Sequence, residues 1–152
     1  MDVVILMGSK SDLDFAKKIG KVLEDFNVEF CYRIASAHKT PEKVLEIVRE
    51  YSEAVFITVA GRSNALSGFV DANTLNPVIA CPPYSEKFAG LDILSSLRMP
   101  SGVAPLVVLE PENAAIAAVK ILAMKNAELR KKISEYQTKK RMEIEEADSS
   151  LC

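Results

Sequence analysis

What the chain has little of narrows its chemistry first. A single histidine, His38, occurs among 152 residues, whereas catalytic zinc sites typically draw on two or three imidazoles, so metal catalysis is not expected. The three cysteines, Cys31, Cys81 and Cys152, are odd in number, far apart and free of any C-x-x-C pair. That pattern suggests neither a disulfide framework nor a zinc site and fits a reducing compartment. No apolar run approaches the ~18 residues of a membrane span. Asp2, with Gly8-Ser9-Lys10 close behind, leaves the first residues without the basic flank and apolar length of a signal peptide, so a cytoplasmic protein is expected. An excess of one charge is missing too: nineteen basic against twenty-one acidic residues leave a net charge of −2, which offers no basic field for nucleic acid.

What is present is ordinary globular material. Hydrophobic residues make up 49% and charged residues 26%, far from the composition of disorder. A chain of this length buries roughly 70% of its unfolded surface, enough for one core, and a single domain is expected over residues 1–152.

The hydrophobic pattern alternates between two periods. Val3 to Met7 is a short, continuous apolar run, as in a strand covered on both faces. From Ser11 onward Leu13, Ala16, Ile19, Leu23 and Phe26 recur at helical spacing, and Asn27 ends the run. Glu29 to Ile34 reads as a second strand and Pro41 to Tyr51 as a helix, with Val44, Leu45 and Val48 inward, Thr40 as cap, Pro41 at the first position and Glu42 at the positive dipole end. A third strand is expected over Ala54 to Ala60, then a polar loop and a helix through Gly68 to Ala72. The fourth strand, Val78 to Cys81, stops at Pro82 and Pro83. Asp92 to Arg98 reads as a short helix, 99–105 as a loop, and Leu106 to Leu109 as a fifth strand. Pro111 to Lys125 is an alanine-rich helix with a stripe of Ala114, Ala117, Ala118, Ile121 and Leu122. Residues 126–152 form a charged helical extension with a thin seam of Leu129, Ile133, Tyr136 and Met142.

Such alternation implies an α/β fold, a three-layer, flavodoxin-like (Rossmann-like) parallel five-stranded sheet with helices on both faces. Sheets of this kind bind ligands beyond the carboxyl ends of their strands, so the loops at 8–12, 36–41, 61–67 and 82–90 should share one rim.

Gly8-Ser9-Lys10-Ser11-Asp12 joins the first strand to the first helix, where free N–H groups favour a phosphate. The turn reads equally well as one that Ser11 or Asp12 merely caps, and the G-x-x-x-x-G-K-[ST] spacing of a P-loop is absent. Ser36-Ala37-His38-Lys39-Thr40-Pro41 carries the imidazole, which accepts and returns protons near neutrality, beside the charge of Lys39. Gly61-Arg62-Ser63-Asn64-Ala65-Leu66-Ser67-Gly68 offers a guanidinium whose rigid fork grips a carboxylate or phosphate; the alternative is a solvated loop with a capped helix. Cys81 also falls at a strand end, so a Cys81–His38 nucleophilic pair is conceivable, although a small packed hydrophobe is the commoner use of such a cysteine.

Taken in order, Gly8-Ser9-Lys10-Ser11-Asp12, Ser36-Ala37-His38-Lys39-Thr40-Pro41, Ala60-Gly61-Arg62-Ser63-Asn64 and Ser95-Ser96-Leu97-Arg98-Met99-Pro100-Ser101-Gly102 closely resemble the PurE-type family of aminoimidazole ribonucleotide carboxylases and mutases. The resemblance runs from about Leu6 to Pro111 and favours the branch that carboxylates aminoimidazole ribonucleotide directly with carbon dioxide. The mutase branch usually has arginine after the histidine and a Gly-Gly-Ala-Ala-His-Leu run after the third strand; here those places hold Lys39 and Gly61-Arg62-Ser63-Asn64-Ala65-Leu66.

The resemblance implies that His38 carries the proton, that Ser9 and Asp12 hold the ribose phosphate side of the nucleotide, and that Ser36, Lys39, Gly61 and Ser63 complete the pocket, with Ser11 and Arg62 as further substrate contacts. It also implies a homo-oligomer, a tetramer or octamer joined through the alanine-rich and carboxyl-terminal helices. The partners are then a nucleotide and carbon dioxide, with no nucleic acid and no membrane. No cofactor is expected, neither biotin, ATP nor a metal, because the electron-rich substrate is its own nucleophile. A non-catalytic nucleotide-sensing module on the same scaffold is the alternative of another class, since fold alone does not fix function.

Overall fold

The computed structural model describes residues 1–151; Cys152 lies outside them. In chain order the elements are β1 (Val3–Met7), a 3-10 turn (Lys10–Asp12), α1 (Leu13–Asp25), β2 (Phe30–Ile34), α2 (Pro41–Glu50), β3 (Val55–Val59), α3 (Ala65–Asp71) and β4 (Val78–Ala80). A second 3-10 segment (Lys87–Ile93) then runs into α4 (Leu94–Leu97), followed by β5 (Leu106–Val107), α5 (Pro111–Ala123) and α6 (Ala127–Ser149).

All five strands are parallel, in the order β2-β1-β3-β4-β5. This is the flavodoxin-like order, and it reverses direction between β1 and β3. Successive strand side chains point to opposite faces, so β1 feeds two cores. Val3, Ile5 and Met7 pack with Ile19 and Leu23 of α1 and Ala115 and Val119 of α5. Val4 and Leu6 pack with Val44 and Ile47 of α2 and Leu66 and Val70 of α3. Every residue of β1 and β3 is buried, which is why β1 reads as a continuous apolar run and β3 as one interrupted only by Thr58, rather than as alternating patterns.

Local chemistry sets the element ends. After α1 the chain enters the left-handed region at Asn27, with φ of 55°. The N–H of Val28 donates to the Leu23 carbonyl at 3.0 Å and that of Asn27 to Glu24 at 2.9 Å, the paired bonds of a Schellman stop. Gly68 lets α3 lie close to the 99–105 loop, since a Cβ there would come 2.9 Å from Met99 Sδ.

Several expectations shift. Thr40 occupies the cap position of α2 but makes no capping bond; its Oγ1 accepts instead from the Ser36 N–H at 2.9 Å. Ile47 rather than Leu45 completes the buried face of α2, and Leu45 is half-buried. The helix expected from Gly68 begins earlier, at Ala65, because Asn64 caps it. The segment before α4 starts at Lys87 and contains Phe88, Ala89 and Gly90 in left-handed conformation. β5 pairs over only Leu106–Val107, as an edge beside β4. The buried stripe of α5 is rotated to Ala114, Ala115, Ala118 and Val119, leaving Ala117, Ile121 and Leu122 half-buried. On α6 Leu129 and Ile133 are buried and Tyr136 meets Phe26 with ring centroids 5.5 Å apart, but Met142 is exposed because the helix has by then left the body. No described helix is long and apolar enough to cross a membrane.

Candidate active site

The ladder brings the strand ends together before any side chain is considered. Gly8 N–H donates to the Val59 carbonyl at 2.9 Å, Ala35 N–H to Met7 at 3.0 Å and Cys81 N–H to Thr58 at 2.9 Å. The segments that follow β1, β2, β3 and β4 therefore start side by side. Between them opens a cleft of ≈ 660 Å³, at the β1/β3 reversal where sheets of this order hold ligands.

The first turn forms one wall. Ser9 starts the 3-10 turn, its Oγ accepting from the Ser11 N–H at 3.0 Å while the Ser9 N–H donates to Asp12 Oδ2 at 3.1 Å. Ser9 thus caps the 3-10 turn, while Asp12 holds the expected cap position of α1 without a capping bond there and reaches back to Ser9 in a reciprocal arrangement. Burial raises the Asp12 pKa above the ordinary carboxyl value, partly opposed by the Ser9 N–H and by the charge of Arg62.

A self-closed loop forms the second wall. Ser36 Oγ accepts from the Lys39 N–H at 3.3 Å and the Ser36 carbonyl from the Thr40 N–H at 2.8 Å. With the backbone satisfied internally, Ala37, His38 and Lys39 turn to the cleft, and both His38 and Lys39 are exposed. The third wall is Ala60, Gly61, Arg62 and Ser63. Arg62 sits at φ of 65°, a region that residues with a Cβ rarely occupy and that clusters at functional sites.

The cleft gathers His38, Ser9, Ser11, Asp12, Ser36, Lys39, Gly61, Arg62 and Ser63, the positions that the sequence offers for proton transfer and substrate contact. It also takes in Tyr84, Ser85 and Lys87 from the loop after β4, which were not singled out. Their signal was positional only, since 82–90 follows a strand's carboxyl end. Lys39, Arg62 and Lys87 together give the cleft cationic character suited to an anionic ligand.

Cys81 does not take part. It is buried in the core between the sheet and α5, and its Sγ–H donates to the Leu109 carbonyl at 3.7 Å. Burial, then the charges of Glu110 and Glu112, push its thiol pKa up to about 12. Cys81 thus packs in the core and does not line the cleft with His38, and its raised pKa disfavours the thiolate that a Cys81–His38 nucleophilic pair would need. Among the described residues no group of three His, Cys, Asp or Glu side chains is placed to hold a metal ion.

A doubly wound parallel sheet with a polar, cation-rich cleft at its topological reversal defines an α/β protein built to hold an anionic small molecule. Comparison with known proteins narrows the class. Residues 2–143 match the family described as AIR carboxylase. A phosphoribosylaminoimidazole carboxylase of Archaeoglobus fulgidus is 64% identical across 99% of this chain and 85% of that protein. An N5-carboxyaminoimidazole ribonucleotide mutase of Methanocaldococcus jannaschii is 45% identical across 98% of this chain and 96% of that protein. The crystal structure of Treponema denticola PurE superimposes with a TM-score of 0.95 at 49% identity, covering 98% of this chain and 97% of that one. The chain belongs to the AIR carboxylase (PurE) family, whose members are enzymes of purine biosynthesis. Family membership leaves the non-catalytic sensing module without support.

Proposed function

We propose that this enzyme carboxylates 5-aminoimidazole ribonucleotide directly, adding carbon dioxide to C4 to give 4-carboxy-5-aminoimidazole ribonucleotide. The observation that carries the reading is the shared cleft: the chain's one imidazole and the capped first turn line the same cavity. In this reading the nucleotide phosphate lies against the Ser9–Asp12 turn, with Ser11 and Arg62 assisting, while Ser36, Lys39, Gly61 and Ser63 enclose the rest. The ring attacks carbon dioxide through C4, forming a tetrahedral carbon that bears the old hydrogen and the new carboxylate. His38 removes that proton and aromaticity returns.

The substrate supplies the nucleophile, so the protein's contribution is to orient, to desolvate and to hold charge. Lys39, Ser63 or backbone N–H groups stabilise the nascent carboxylate, each such bond contributing ~1.5–3 kcal/mol. The carboxylase name of the Archaeoglobus relative supports this branch, as do Lys39 and Ala65, which stand where the mutase pattern has arginine and histidine.

A second reading has a specific observation behind it, the mutase name of the Methanocaldococcus relative. A mutase releases carbon dioxide from N5-carboxyaminoimidazole ribonucleotide and recaptures it at C4. The two activities separate when purified protein is given either aminoimidazole ribonucleotide with bicarbonate or the N5-carboxylated compound. Turnover of the first alone is expected; turnover of the second alone establishes the mutase.

The assembly is proposed to be a homo-oligomer. Phe88, Leu91, Leu94 and Leu97 after β4, with Leu106 on the edge strand and Leu109 just beyond it, are exposed large hydrophobics, which a second copy of the chain would cover. Light scattering that returns a monomer mass at micromolar concentration removes this part of the reading.

A further inference from the structure

Among the described residues the chain buries four polar side chains, Thr58, Asn64, Ser67 and Ser96, each at 4% exposure or less. All four belong to one hydrogen-bonded cluster directly behind the third wall of the cleft. Asn64 Nδ2 donates to Ser67 Oγ at 2.7 Å and to Ser96 Oγ at 2.9 Å. Asn64 Oδ1 accepts from the Ser67 N–H at 3.2 Å. Ser67 Oγ lies 2.8 Å from Thr58 Oγ1, which donates to the Ile79 carbonyl at 3.3 Å. Half-buried Ser95 extends the cluster outward: its Oγ accepts from the Asn64 N–H at 2.9 Å, donates to the Asp92 carbonyl at 2.8 Å and lies 3.3 Å from the Arg62 carbonyl. No buried side-chain donor or acceptor among the described residues is left unpartnered.

Polarity in so apolar an interior needs a reason, because aliphatic side chains fill such volume at no desolvation cost. A fully satisfied polar cluster fixes one geometry, whereas apolar packing tolerates several. The geometry in question lies next door. Arg62 holds a left-handed φ of 65°, and such a conformation persists only where the surroundings over-determine it. The cluster clamps the chain just after Arg62 through the backbone and side chain of Asn64, and ties it to β3, β4, α3 and α4 at once.

We propose that the Thr58–Asn64–Ser67–Ser96 cluster, extended by Ser95, is a positioning device that holds the Arg62 backbone and so aims its guanidinium at the anionic end of the substrate. The proposal rests on the reading of Arg62 as a substrate contact. These residues touch no ligand; they act through Arg62, preorganising it in the free enzyme so that binding does not have to order the loop.

The test is a double-mutant cycle on the full-length chain with Ser96→Ala, Ser95→Ala and Arg62→Ala, alone and paired. Ser96→Ala and Ser95→Ala are each expected to raise KM for aminoimidazole ribonucleotide about tenfold with kcat nearly unchanged, the mark of lost uniform binding. In the Arg62→Ala background the same substitutions should leave KM where it is, since partners acting in series do not add. Amide hydrogen exchange at residues 62–65 of the ligand-free protein should accelerate in both serine variants while β1 stays protected. Should buried Ser96→Ala fold poorly, as its melting curve will reveal, Ser95→Ala carries the whole cycle. Equal KM effects with and without Arg62, or unchanged exchange at 62–65, overturn the proposal. Wild-type protein that turns over neither substrate instead overturns the carboxylase reading, and the exchange arm then decides alone whether the cluster holds the loop.

Discussion

The Asp12 carboxylate accepts from the backbone N–H of Ser9 at 3.1 Å, so the acid of the first turn is fastened to the residue that begins it. The same bond commits a partly buried carboxyl to the cleft wall, where burial disfavours its charge.

A stability consequence has a definite sign. The folded state raises the Asp12 pKa, so it holds this proton more tightly than the unfolded chain does. The stabilisation attached to the neutral acid is full below the unfolded pKa and is lost as pH rises through the folded one. Asp12→Asn keeps an acceptor for Ser9 and removes the charge. It is expected to melt higher than wild type at pH 7, by less than about 1 kcal/mol once solvent screening is allowed for, and level with it at pH 3, while KM worsens. Lower stability than wild type at pH 7 contradicts the assignment.

His38→Asn is expected to bind aminoimidazole ribonucleotide within a few-fold of wild type yet lose at least ~10²-fold in kcat, the usual contribution of a positioned proton acceptor. Calorimetry and steady-state rates on one preparation check both halves. Near-normal turnover would remove His38 from the mechanism.

Cys81, with its thiol pushed up to about 12, stays protonated across the physiological range. Iodoacetamide at pH 8 should leave it unlabelled in the folded protein and modify it in denaturant, as peptide mass mapping would read. Cys81→Ala should keep full activity and cost about 1 kcal/mol for the lost buried sulfur. An inactive but folded Cys81→Ala would reopen the thiol chemistry.

Asn27, at φ of 55°, tests the stop of α1. Asn27→Gly is expected to be neutral or slightly stabilising and Asn27→Val to cost about 1–2 kcal/mol, because a β-branched side chain is crowded in that conformation. Chemical denaturation reads the difference, and equal midpoints for the two variants refute it.

Much of the fold is legible in the chain because its strands and long helices declare themselves by period. Val3–Met7 is covered on both faces and reads as an unbroken apolar run, and Val55–Val59, equally covered, as one interrupted only by Thr58; α1 is one-sided and reads as a stripe. The weaker elements were not legible to the residue. The Ala65 start of α3 depends on Asn64 turning its side chain into the protein, and the face of α5 that is buried depends on how the helix meets the sheet, which a uniform run of alanines does not encode.

By itself, the sequence determined the order of strands and helices, the chemical character of each loop and the placing of Ser9, His38 and Arg62 after successive strands, because these are matters of neighbours along the chain. Tertiary structure alone decided that Ser96 would meet Asn64, that Thr40 would serve Ser36 instead of its own helix, and that Cys81 would face the core and not the cleft. A hydroxyl, an amide or a thiol has several local uses of similar energy, and only the packing of distant elements selects among them.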